Sequence, residues 1–196
     1  MKKWIFFAAL TLSAPAFSDG FYTGAHVGMS SVTVDSNING VDVDMGAQGM
    51  RYGGYLGYEV EYGGHAFVAL EAEFSAGNSK ATQSSGAVRL EATRGNSYGV
   101  SALVGMPVGR KADVFGRFGL LNGHFEAEET DGSSTDNGDT RETGYMIGLG
   151  SRFLLSDRTR LRLDYRYIQY RDAGFDGGSE FAVNEHLFTI GVQLFF

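Results

Sequence analysis

The chain has 196 residues, of which 29 are glycine, 2 are proline and none is cysteine, and aromatic residues make up 13% of it. The lack of cysteine excludes a disulfide framework and any thiolate metal site. A formal charge of −7 makes nucleic acid an improbable partner.

The first element is a leader. Lys2 and Lys3 form a positive start, Trp4 to Leu12 an apolar stretch too short to span a bilayer, and small residues follow. Residues 1–18 are expected to be a signal peptide, with cleavage after Ala16 or Ser18, leaving residues 19–196 as one domain. Loss of Lys2 and Lys3 takes the formal charge from −7 to −9. Beyond the leader no apolar run reaches 18 residues, so no transmembrane helix is expected.

Period-two alternation then recurs eight times. In residues 21–34, Phe21, Thr23, Ala25, Val27 and Met29 oppose Tyr22, Gly24, His26, Gly28 and Ser30. In 47–61, Tyr52, Leu56, Tyr58 and Val60 oppose Arg51, Gly53, Tyr55, Gly57 and Glu59. Residues 65–77 set Val68, Leu70, Ala72 and Phe74 against Ala69, Glu71 and Glu73. The same division holds for 87–108, 112–126 and 142–155, which place Arg117 and Arg152 on the face shared with glycines. The seventh run, 160–167, is strict: Leu161, Leu163, Tyr165 and Tyr167 against Arg160, Arg162, Asp164 and Arg166. The last, 185–196, has Phe188, Ile190, Val192, Leu194 and Phe196 on one face and ends on an aromatic residue.

The connections alternate in length. Residues 62–64, 109–111 and 156–158 read as tight turns with Gly or Asp chemistry, and 35–46, 78–86, 127–141 and 172–184 as long polar loops. This is the connectivity of an all-β, eight-stranded antiparallel up-and-down transmembrane β-barrel with every long loop on one side. A soluble eight-stranded barrel would invert the faces and put Arg162 and Arg166 in water. Against it stand the glycine-rich polar face, which suits a crowded lumen, and the survival of only two lysines, Lys80 and Lys111, after the leader.

The opening stretch, Gly20-Phe-Tyr-Thr-Gly-Ala-His-Val-Gly-Met29, and the closing one, Leu187-Phe-Thr-Ile-Gly-Val-Gln-Leu-Phe-Phe196, resemble the first and last strands of a family. That family is the small outer-membrane β-barrels, which include the OmpA membrane domain, OmpX/Ail-type proteins and the opacity proteins. The end of the chain also resembles the C-terminal recognition signal of such barrels, with Thr189, Gly191, Leu194 and Phe196 matching in order. The resemblance implies an outer-membrane location and insertion by the barrel-assembly machinery, and it leaves the biological role open because loops in the family carry diverse tasks.

Charge concentrates on the lumen face. Arg51, Arg117, Arg152, Arg162 and Arg166 stand against Glu59, Glu71, Glu73 and Asp164, with His26 nearby. Such groups can satisfy one another as a layered plug, or form a gate in a minor conductance path; eight strands favour the plug. No catalytic His motif, phosphate loop or metal-ligand spacing is present, so neither an enzyme nor a cofactor is expected. The arrangement that comes nearest is His124 and His186 at the extracellular rim, beside Glu126 and Glu185. The loops are acidic: residues 126–142 carry Glu126, Glu128, Glu129, Asp131, Asp136, Asp139 and Glu142 against one Arg141. Two functions follow: a structural or adhesin-like surface barrel whose four loops meet a host or environmental ligand, or a narrow porin-like channel for small solutes. Membrane lipid and lipopolysaccharide would surround it, and a monomer is expected.

Overall fold

The computed structural model describes residues 20–38, 41–77, 79–85, 88–131, 134–170 and 181–196. The expected signal peptide and most of the fourth loop lie outside them. Every regular element described is a strand: β1 (Gly20–Ile38), β2 (Val41–Tyr62), β3 (Ala66–Gly77), β4 (Ser79–Ser85), β5 (Val88–Val108), β6 (Ala112–Asp131), β7 (Ser134–Ser156), β8 (Thr159–Tyr170) and β9 (Phe181–Phe195). All the pairings are antiparallel, and β1 pairs with both β2 and β9, which closes the sheet. β3 and β4 occupy one wall position in succession, since both pair with β5, so the barrel has eight staves.

Partners followed once around the wall fix the stagger. Tyr22 pairs with Gly57, then Glu71, Ser101, Gly119, Met146, Ile168 and Glu185, and the path returns to Val32, ten residues along β1. Eight strands with that shear tilt by roughly 40° and leave an interior that side chains fill.

The alternation sorts the faces as the sequence divides them. Phe21, Leu56, Leu70, Ile147 and Leu149 point outward and are exposed, Leu149 at 70%, whereas Tyr22, Glu71, Arg117 and Arg166 are buried inside. Wall glycines make room for rings. A Cβ on Gly24 would enter the Tyr55 ring, and one on Gly57 the Tyr22 ring. The turns at one end are tight, with Gly63, Gly64 and Gly109 at φ 59°, 70° and 78°, a region other residues avoid.

At the other end the structure departs from expectation. Residues 35–46 and 127–141 were expected as irregular loops, yet β1 continues to Ile38 and β2 begins at Val41, while β6 and β7 run to Asp131 and from Ser134. Residues 79–85 likewise form β4, in a hairpin where Ser85 pairs with Val88. Three of the four long connections are therefore β-hairpins that extend the staves. A ladder already begun satisfies each further N–H and C=O without needing an apolar face, so polar sequence does not stop it.

Candidate functional site: a charge-filled lumen

All nine charged residues assigned to the lumen from the sequence are buried within it. They fall into three groups by contact.

The first lies near the tight turns. Arg152 donates to Glu59 at 2.5 Å and reaches Asp113 at 3.1 Å, while Arg160 donates to Asp113 at 2.9 Å. The guanidinium of Arg152 sits 3.9 Å from the centre of the Phe67 ring, and that of Arg160 4.4 Å from Phe195. These rings adjoin an apolar cluster of Tyr22, Tyr55, Phe67, Ala69, Leu103 and Phe115.

The second group is the densest. Arg162 donates to Glu71 at 2.6 Å and to Asp164 at 2.7 Å, and Arg166 holds both oxygens of Glu73 at 2.8 Å. Arg117 pairs with Glu71, with Asp164 at 3.1 Å and with Glu73 at 3.3 Å. Tyr22 adds its hydroxyl to Glu71 at 3.1 Å, and Ser101 accepts from Arg117 at 3.1 Å. Glu71 is the hub: it accepts from two arginines and a tyrosine. Forked guanidinium donors suit this, because each can serve two carboxylates at once.

The third group lies toward the long hairpins. Arg94 pairs with Glu185 at 2.8 Å, Tyr170 donates to the same carboxylate at 3.1 Å, and Arg94 also bonds the Tyr170 hydroxyl. Arg51 donates to the Gly95 carbonyl at 2.8 Å and to Ser97 Oγ at 2.5 Å. Tyr170 joins this group to a second apolar cluster with Val32, Leu121, Met146, Ile168 and Val183. Apolar layers thus bracket the ionic middle.

Sequence reasoning missed Arg94, Asp113, Arg160 and Glu185 as members. Arg160 already stood on the polar face of its strand, and alternation gives Asp113 and Glu185 from Arg117 and Thr189. Arg94 was hidden, because an irregularity between Arg94 and Ser97 shifts the register and turns an even-numbered residue inward.

The histidines are not assembled into a centre. His26 lies in the lumen with Nε2 3.2 Å from Ser75 Oγ. His186 points outward, with Nδ1 2.8 Å from the Tyr165 hydroxyl, while its neighbour Glu185 points inward to Arg94. His124 is on β6, three staves from β9. The expected grouping of His124 and His186 beside Glu126 and Glu185 is therefore corrected at Glu185, since alternation sends it and His186 to opposite faces and the two histidines stand three staves apart; the side chain of Glu126 lies outside those described. Of the residues matching the C-terminal signal, Thr189 is buried inside and Leu194 and Phe196 face outward, with the Phe196 N–H donating to the Phe21 carbonyl at 3.0 Å.

The sequence matches the family described as Outer membrane protein beta-barrel domain over residues 4–196. No curated protein matches in a sequence search. Among solved structures, Neisserial surface protein A is similar with a TM-score of 0.53 at 18% identity, covering 90% of this chain and 97% of that one. Ail, the attachment invasion locus protein of Yersinia pestis, gives 0.50 at 16% identity, covering 89% and 99%. The outer membrane protease OmpT from Escherichia coli gives 0.52 at 8% identity, covering 94% and 99%. At these identities the likeness is one of fold.

Proposed function

Since the chain belongs to the outer membrane protein β-barrel domain family and is an outer-membrane β-barrel, we propose that its role is surface interaction or envelope structure, carried by the long hairpins. In this reading the signal peptide is removed on export, the tight turns face the periplasm and the hairpins stand outside the cell. The barrel sits as a monomer among membrane lipid and lipopolysaccharide. The observation that carries the reading is the filled lumen. Arginines and carboxylates interlock across it with side chains almost wholly buried, and conduction would break several charge-assisted pairs at once. A non-enzymatic role is supported by the separation of His124 from His186 and by the engagement of Glu185 inside.

The test pairs conductance with trimming. Residues 127–138 are replaced by a short turn that rejoins the paired positions Glu126 and Asp139, and 36–43 by one that rejoins Asp35 and Asp44. The trimmed barrel is expected to keep its resistance to unfolding in detergent until heated, to pass no steady current in a planar bilayer, and to lose binding to cells or surfaces. Sizeable current through the trimmed protein would make it a narrow channel instead.

Insertion is proposed to use Thr189, Gly191, Leu194 and Phe196 as the signal read by the assembly machinery. Deleting Phe196 is expected to cut the amount of folded barrel in the outer membrane severely. Its half-exposed ring contributes too little burial to account for such a loss. Wild-type levels of the deletion variant, measured by heat-dependent gel mobility, would remove this assignment.

A further inference from the structure

The tight turns are charged against the trend of the chain. The protein carries a formal charge of −7, yet the turns joining β5 to β6 and β7 to β8 expose Arg110, Lys111 and Arg158 against one carboxylate, Asp157. Asp113, close to them in the chain, is taken up by Arg152 and Arg160. The remaining tight turn, between Tyr62 and Ala66, has neither Lys nor Arg, so the exposed cations occupy one sector of the rim.

The two basic turns are tied together. β6 and β7 are neighbouring staves, and the Leu154 N–H donates to the Lys111 carbonyl at 2.8 Å, with Asp157 and Arg158 following shortly along the chain. The register slips between Leu154 and Ser156, and the residue left over, Leu155, is exposed at 61%. The same staves carry an apolar exterior down to the turns: Met106 and Val108 on β5, Val114 on β6, and Phe153 and Leu155 on β7 are all exposed. Long basic side chains at the edge of such a face reach the headgroup layer while their stems stay on acyl chains.

We propose that this sector of the rim binds the phosphodiester of an anionic phospholipid, whose acyl chains lie along β5, β6 and β7. Arg110 and Arg158 bring forked donors to the phosphate oxygens, and Lys111 brings a point charge. A soluble phosphate would meet the cations but leave the apolar residues beside them uncovered, whereas a lipid covers both. In the orientation proposed above, the lipid belongs to the periplasmic leaflet. Such binding requires only that the barrel stand in a membrane; it does not need the surface-interaction role.

In neutral detergent, the barrel is titrated with phosphatidylglycerol and with phosphatidylcholine of the same acyl chains, and bound lipid is counted by native mass spectrometry. Phosphatidylglycerol is expected to bind the more tightly. Replacing the cations together, as Arg110→Gln, Lys111→Gln and Arg158→Gln, is expected to weaken it by about fivefold for each one lost and to leave phosphatidylcholine unchanged. An undiminished preference for phosphatidylglycerol in the triple variant would overturn the proposal. Displacement of the lipid by an equal concentration of inorganic phosphate would overturn it too, and make the turns a site for the free ion. Should the triple variant fail to assemble, Asp157→Asn serves in its place. It removes the one carboxylate of the two turns and is expected to tighten phosphatidylglycerol binding; unchanged or weaker binding would count against the site.

Discussion

Replacing Glu71 with leucine is expected to destabilise the folded barrel by about 3–5 kcal/mol, the cost found when one partner of a buried ion pair is removed. Arg162 would lose its 2.6 Å partner, Arg117 would lose a second acceptor, and the Tyr22 hydroxyl would be orphaned. Three buried cations would then share Glu73 and Asp164, which Arg166 already engages. Glutamine is expected to do little better. Its amide oxygen can still accept, but its NH2 group would face a guanidinium, and the negative charge would be gone. The measurement is the temperature at which the compact band disappears from unboiled gels. Asp157→Asn, on an exposed tight turn, is the control and should shift it little. A Glu71→Leu barrel as heat-resistant as the wild type would mean that water or ions reorganise freely in the lumen, and the plug argument would fall.

Much of this was legible before the fold was seen. Period-two alternation places lipid-facing and lumen-facing residues correctly along the described wall strands, Arg94 excepted, because a closed barrel imposes apolar outside and filled inside on every stave. Gly63, Gly64 and Gly109 mark two of the three tight turns for a local reason, their left-handed backbone.

What was not legible has equally physical causes. The hairpin extensions carry only short apolar alternations, Val41, Val43 and Met45 between aspartates and Val88, Leu90 and Ala92 between polar residues, set in stretches whose Gly, Asn, Ser and acidic residues read as loop. Backbone register even sets acids directly opposite acids there, with Asp35 across from Asp44, Glu126 from Asp139 and Glu129 from Asp136. Such pairs work against a strand, and only the continuing ladder overrides them. Arg94 turns inward through a local irregularity that alternation cannot anticipate. The pairing of charges was also out of reach. Arg162 and Glu71 are 91 positions apart in the chain and meet only because the shear brings β8 and β3 to one level of the lumen.

The charges near the tight turns allow a sharper test of whether the lumen is a plug of interchangeable pairs. Glu59→Leu alone leaves Arg152 and Arg160 competing for Asp113, at 3.1 and 2.9 Å, and Arg152→Leu alone leaves Glu59 with only a 3.5 Å contact to Arg160. Each single change should cost about 3 kcal/mol, the low end for a broken buried pair because Asp113 and Arg160 are partly exposed. The double variant removes one charge of each sign and keeps the 2.9 Å Arg160/Asp113 bridge intact. Its two leucines would lie beside Phe67, now without a guanidinium over its ring, and so extend the apolar cluster of Leu103 and Phe115. The double variant is therefore expected to melt above either single variant, with a coupling of several kcal/mol in the cycle. Simple additivity, with the double variant the least stable of the three, would show that Glu59 and Arg152 act through other partners and that the charges near the turns are not a self-contained, balanced set.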